Sequence, residues 1–262
     1  GVPGRTGRRR CAGRTPMTTL LKLGGSIITH KEQIEAVDEA ALASLARSIA
    51  DTTDALVIVH GGGSFAHRHA AAYDVSPTAG TTDAAAIAAI HAAMLRLNAV
   101  VVDQLIAAGV PAVPLAPLSF AHRAGGAGLH LATAPLALAV EQGLVPVCFG
   151  DVILDADRGA TILSGDRLIT GLARRLDVAR IGLCGDVPGV LDAEGAVIER
   201  ITAYESVADT LGSSGVSDVT GGMAAKVREM LAVGRPVRIF GDAALGAFLA
   251  GEAVGTLIDG SG

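Results

Sequence analysis

The stretch Val59-His60-Gly61-Gly62-Gly63-Ser64-Phe65-Ala66-His67, entered from an apolar run over 55–58, restricts the chain more than any other. An apolar strand that empties into three glycines, with a histidine four residues beyond, brings bare backbone N–H groups close to an anion. A plain surface turn is the alternative. Here, however, the glycines join a buried-type strand to an alanine-rich helical stretch, and that context favours an anion site at a strand-to-helix turn.

The same alternation of strand and helix runs through the rest of the chain. A strand over 19–23 ends in Gly24-Gly25-Ser26, and Asp38 caps a helix reaching about residue 51. A short helix over 64–72 and a polar loop over 73–80 follow the triple glycine. Thr82 or Asp83 then caps a long helix whose Ile87, Ile90, Met94, Leu97, Val101 and Leu105 fall on one face. Strands are expected over 112–115, 144–149, 178–184, 236–240 and 255–258. A hairpin is expected from 152–154 and 161–163. Helices are expected from Thr133 and Pro135, from Ser164 to about 175, near 205–211, from Gly221-Gly222 onward and over 243–249. This pattern, with no clear linker, predicts a three-layer α/β/α sandwich on one open, mainly parallel sheet, with 17–262 as a single domain.

Composition agrees with that architecture. Half of the 262 residues are hydrophobic, only 3% are aromatic and there is no Trp, so Ala, Val, Leu and Ile must build the core. The formal charge is -5. Residues 1–16 hold five arginines and no acid, and read as a basic leader or a segment derived from upstream sequence, with Met17 as the expected start. The remainder is acidic, which argues against nucleic acid as a partner. Cys11, Cys148 and Cys184 have no metal-type spacing and are expected to be reduced thiols of a cytoplasmic protein. The apolar region 84–118 is broken by His91, Arg96, Asp103 and two prolines, and is not expected to span a membrane.

Lysine occurs only at Lys22, Lys31 and Lys226; every other basic residue is an arginine. All three stand beside glycine turns, where a compact, mobile ammonium differs from a planar guanidinium. Three ammonium groups and several glycine-lined helix starts can neutralise a phosphoryl group in transit, a reaction that needs mainly positioning and charge. No GxxxxGK[ST] P-loop is present, and no GxGxxG follows the first strand.

Four segments taken together, Lys22-Leu23-Gly24-Gly25-Ser26, His60-Gly61-Gly62-Gly63, Ser164-Gly165-Asp166 and Asp218-Val219-Thr220-Gly221-Gly222-Met223 with Lys226, resemble the amino acid kinase superfamily. Within it, the full run His60 to His67, Lys31, and Gly150-Asp151-Val152 resemble the isopentenyl phosphate kinase family. Ala66 departs from the glycine usual before the histidine. The resemblance implies transfer of the γ-phosphate of ATP, with Mg2+, to isopentenyl phosphate in a cytoplasmic homodimer. His67 would bind the acceptor phosphate together with backbone donors at Gly62 and Gly63, and Gly150 joins them on the acceptor side. Lys22 would bridge the transferring group, Lys31 would assist it, Lys226 would hold nucleotide phosphates and Asp166 would orient the lysines. Gly24, Gly25, Ser26, Asp186, Gly189, Gly221 and Gly222 would line the nucleotide side. No residue is assigned as a dedicated metal ligand.

A phosphate monoester is already largely anionic at neutral pH, so such an acceptor needs no general base. Its isoprenoid tail asks for an apolar wall, for which Ile87, Ile90 and Met94 are the candidates, with plain core packing as the alternative for each. Two competing functions are a small-phosphonate kinase, such as a fosfomycin-resistance kinase, and a non-catalytic nucleotide-binding protein of the same fold. The second has no need of Lys22, His67, Asp166 and Lys226 together.

Overall fold

A computed structural model describes residues 18–52, 54–125, 128–212 and 222–261. In chain order the first half contains β1 (Thr18–Leu23), α1 (Glu39–Ala50), β2 (Ala55–His60), α2 (Gly63–Ala72), α3 (Ala84–Ala107), β3 (Ala112–Pro114), β4 (Ala121–Arg123), β5 (Leu129–Leu131), α4 (Ala134–Glu141) and β6 (Val145–Phe149). The second half contains β7 (Asp151–Asp155), β8 (Gly159–Leu163), α5 (Gly165–Ala173), β9 (Arg180–Gly185), β10 (Arg200–Ile201), α6 (Ala208–Gly212), α7 (Gly222–Leu231), β11 (Val237–Gly241), α8 (Leu245–Leu249) and β12 (Thr256–Ile258). Asp38 caps α1 as expected, accepting from the Ala41 N–H, and of Thr82 and Asp83 it is Asp83 that caps α3, accepting from Ala85; Ser164 also caps α5, accepting from Arg167.

The main sheet has the order β10-β12-β11-β9-β1-β2-β6-β3, parallel throughout except where β12 runs against β11. Side-chain alternation splits the core into two layers. Leu21 and Leu23 of β1 and Leu56 and Ile58 of β2 pack with residues of α1, α3 and α8. Leu20, Val57 and Val59 face the other way, against α4, α5 and α7. Lys22 falls on the Leu20 face by the period of two, and its strand is the centre of the sheet, paired with Val59 on one side and Leu183 on the other.

Long apolar α3 meets the length and composition expected of a membrane span, but it is used as a core helix. Met94, Leu97, Val101 and Leu105 are fully buried in the layer it shares with α1, each contributing about 2 kcal/mol by leaving water.

The expectation of one sheet is corrected. A second, four-stranded sheet, β5-β4-β7-β8, carries the expected hairpin 152–154/161–163 as β7 and β8 and adds a second hairpin, β4 and β5. Those added strands are three residues each, too short for alternation to mark them. They still leave a three-layer, parallel-rich α/β architecture.

Candidate active site at the carboxyl ends of the central strands

Parallel neighbours β1 and β2 end side by side, so their glycine turns meet. The Gly24 N–H donates to Cys184 O at 2.8 Å, the Gly61 N–H to Leu23 O at 2.8 Å and the Gly150 N–H to His60 O at 3.1 Å. The two turns touch backbone to backbone: a Cβ on Gly25 would lie 2.2 Å from Gly63 N, and one on Gly61 would lie 2.5 Å from Gly25 N. No side chain fits there. Gly63 also has φ +47°, in the left-handed region that favours glycine, and it opens the first turn of α2, where backbone N–H groups have no intrahelical acceptor.

Thr29 fastens the two turns together. Its Oγ1 donates to Gly25 O at 2.8 Å and accepts from the Ser64 N–H at 3.1 Å. Nothing in the sequence pattern marked Thr29, because its partners come from two different strand ends.

Beneath the glycines, Lys22 Nζ lies 2.5 Å from Asp166 Oδ1. The lysine side chain is only 11% exposed, and its stem runs beside Gly165, whose missing Cβ would stand 3.3 Å from Lys22 Cε. Burial pushes the Asp166 carboxyl upward, but the charges of Lys22 and Lys226, with the Lys22 hydrogen bond, outweigh it and leave the group below the ordinary carboxylate range. Asp166 is therefore ionised at neutral pH and faces two of the three lysines. Lys226, half-buried on α7, acts on it through its charge.

Lys31 goes elsewhere. Its Nζ meets Asp186 Oδ2 at 2.8 Å, with both side chains about half exposed or more. Its hydrogen bond is the main reason the Asp186 carboxyl is held low, and Ser26 adds a further hydrogen bond. Ser26 and Asp186 are thus neighbours at the ends of β1 and β9, as both were expected on the nucleotide side.

Of the residues expected on the acceptor side, His67 has its backbone in α2, while the role expected of its side chain falls outside the described residues. Gly62 is closed in by Ala66 and Met94: a Cβ there would sit 2.1 Å from Ala66 Cβ and 3.0 Å from Met94 Sδ. The methyl at the departing position 66 therefore packs straight onto the glycine turn. Met94 is buried beneath that turn, whereas Ile90, with Ile87 beside it, joins a separate small cluster of Val75, Val152 and Ala160. Ile90 and Met94 thus pack in different clusters of the core. The Gly150 N–H is taken up by His60 O, and what the glycine provides is closeness to α5, since a Cβ on it would stand 3.1 Å from Gly165 N. Of the glycines expected on the nucleotide side, Gly222 opens α7 with φ +62° and no described residue lies close to where its Cβ would stand, while Gly189 is packed against Thr256 and Val197. Gly221 lies outside the described residues.

Two buried histidine contacts escaped the sequence. His60 stacks on Phe149 at 5.4 Å and bonds Asn98 Oδ1 at 3.1 Å and Gly61 O at 2.9 Å, and burial holds its pKa below the ordinary imidazole value. His91 Nδ1 meets Asp151 Oδ2 at 2.8 Å, pinning α3 to β7. A lone histidine on a helix carries no pattern that points to a carboxylate 60 residues away.

Comparison with known proteins agrees with this geometry. Residues 17–241 match the amino acid kinase family. The chain is 51% identical over 243 residues to isopentenyl phosphate kinase of Haloferax volcanii, covering 92% of this chain and 98% of that one. It is 36% identical over 230 residues to the enzyme of the same name from Methanothermobacter thermautotrophicus, covering 81% and 85%. Among solved structures, an X-ray structure of isopentenyl phosphate kinase superposes with a TM-score of 0.79 at 30% identity, covering 92% of this chain and 99% of that one.

Proposed function

Because the chain belongs to the amino acid kinase family, and within it to the isopentenyl phosphate kinases, we propose that it transfers the γ-phosphate of ATP directly to isopentenyl phosphate, giving isopentenyl diphosphate and ADP. The observation that carries this reading is Lys22, nearly buried at the centre of the sheet, held by ionised Asp166 directly below two glycine turns in backbone contact. An ammonium in that place supports charge passing between the two sides of β1.

The acceptor phosphate sits at the start of α2, on Gly62, Gly63 and His67, where orphan N–H groups and the helix dipole favour an anion. ATP lies toward the ends of β9 and α7, beside Asp186, Gly189, Gly221 and Gly222, with Gly24, Gly25 and Ser26 between the two ligands. Lys22 follows the transferring phosphoryl group, Lys226 holds the nucleotide phosphates and Lys31 closes over them from its loop. The acceptor oxygen is already anionic, so no residue has to take a proton. Met94 forms the tail wall nearest the glycine turn.

Among the described residues no three of His, Cys, Asp and Glu converge, and the site's two carboxylates each face a lysine. These residues fit a Mg2+ brought in on the nucleotide phosphates, with Asp166 and Asp186 as its nearest carboxylates, rather than a protein cage. Such an ion would supply neutralising charge to the nucleotide phosphates. A cytoplasmic homodimer completes the reading, and light scattering in solution tests the dimer.

Coupled ADP release with isopentenyl phosphate, dimethylallyl phosphate and fosfomycin tests the substrate. Turnover of the isoprenoid phosphates is expected; turnover of fosfomycin alone would reassign the enzyme.

A further inference from the structure

The loop that carries Lys31 is held in place by a residue with an uncommon backbone. Between the isolated bridge Thr29–Val37, the chain folds back on itself, with the His30 N–H donating to Ala36 O at 2.9 Å. Ser64, on the first turn of α2, ties the base of this loop through Ala36, accepting from its N–H at 3.3 Å and donating to its carbonyl at 3.4 Å. Near the tip stands Glu35, with φ +49°. A side chain in the left-handed region costs about 1–2 kcal/mol relative to glycine, so a carboxylate there asks for a reason.

That reason is visible in what the carboxylate touches. Arg96 of α3 donates to it with both Nε, at 2.8 Å to Oε2, and an Nη, at 2.5 Å to Oε1. His69 of α2 places Nε2 2.6 Å from Oε1. Arg96 is half exposed, and ion pairs in such settings add little to stability; a bidentate fork does fix direction. One carboxylate thus joins three elements: the Lys31 loop, the acceptor helix α2 and α3. From the same loop Lys31 crosses to Asp186 at the end of β9.

We propose that Glu35 is a positioning residue for phosphoryl transfer: anchored by Arg96 and His69, it holds the loop so that Lys31 stands between the acceptor helix and the nucleotide side. The proposal rests on the kinase reading given above. It acts through Lys31, and this separates it from a role in stability alone.

Glu35→Gly removes the carboxylate and relieves the backbone strain. If Glu35 served only the turn, this variant would melt no lower than the parent and keep its activity. The positioning role instead predicts an unchanged or raised Tm together with a kcat lowered by about tenfold, since small misplacements at a transfer site are costly, and a KM for ATP within about twofold. In a Lys31→Ala background the same substitution is expected to add less than about twofold, because residues acting through one another are not additive. Glu35→Gln, which keeps the shape, serves if the glycine variant is unstable, with the same expectations for kcat and for non-additivity. Parental kcat in these variants, or a double variant whose loss equals the product of the two single losses, overturns the proposal. Hydrogen exchange over 29–37 reads the loop whatever the acceptor: faster exchange in Glu35→Gly is expected, and unchanged exchange also overturns it. Failure of the parent enzyme to turn over isopentenyl phosphate would count against the kinase reading alone.

Discussion

Lys22 and Gly25 set the two demands of the site, charge and closeness. Lys22 has Asp166 at 2.5 Å and little water around it, so its ammonium acts in a poorly screened setting. Lys22→Ala is expected to lower kcat by about two to three orders of magnitude, the scale of losing one preorganised electrostatic donor, while ATP binding measured by calorimetry changes far less. An unchanged kcat would remove Lys22 from the transfer step. At Gly25 the obstacle is another stretch of main chain, with Gly63 N only 2.2 Å from where a Cβ would stand, and a backbone cannot swing aside as a side chain does. Gly25→Ala is therefore expected to cost about 3 kcal/mol or more in urea unfolding and to raise the KM for the acceptor, because the start of α2 must move.

At the scale of elements, α3 is joined to β7 by the pair His91–Asp151, in which the carboxylate is fully buried and the imidazole one-fifth exposed. Donating a hydrogen bond to the Asp151 carboxylate raises the His91 pKa above 6.5, and burial raises that of Asp151. A histidine with a raised folded-state pKa contributes stability that is complete below 6.5 and is lost as pH rises through the raised value. The stability difference between the parent and His91→Gln, followed by thermal unfolding, should thus be largest at mildly acid pH and shrink as the solution becomes alkaline. At pH 6 the variant should be weaker by about 1–3 kcal/mol, since Asp151 is left buried with a poorer partner. A difference independent of pH would mean that the imidazole is not charged in this contact.

For the molecule as a whole, the proposed acceptor and nucleotide halves of the site lie on either side of β1, and on that reading two ligands stabilise the fold separately. ATP at one hundred times its Kd is expected to add about 2.7 kcal/mol, or roughly 5–10 °C in Tm for a chain of this size. Isopentenyl phosphate should add its own shift in the presence of a non-hydrolysable ATP analogue, and mutually exclusive shifts would place both ligands in one half. Much of this arrangement is legible in the chain by itself. Period-two and helical alternation, caps at Asp38 and at Thr82 or Asp83, and glycine turns after β1 and β2 are local signals, and they determined the order of elements, the α/β class and the lysines beside the turns. Motif order determined the family. Only the tertiary structure decided that Lys22 pairs with Asp166 and Lys31 with Asp186, partners 144 and 155 residues apart, that Ile90 and Met94 belong to different clusters, and that Thr29 and Glu35 hold the loops in place. The physical reason is range: turn chemistry and periodicity act over a few residues, whereas these contacts exist only once the strand order β9-β1-β2-β6 has set the loop ends side by side.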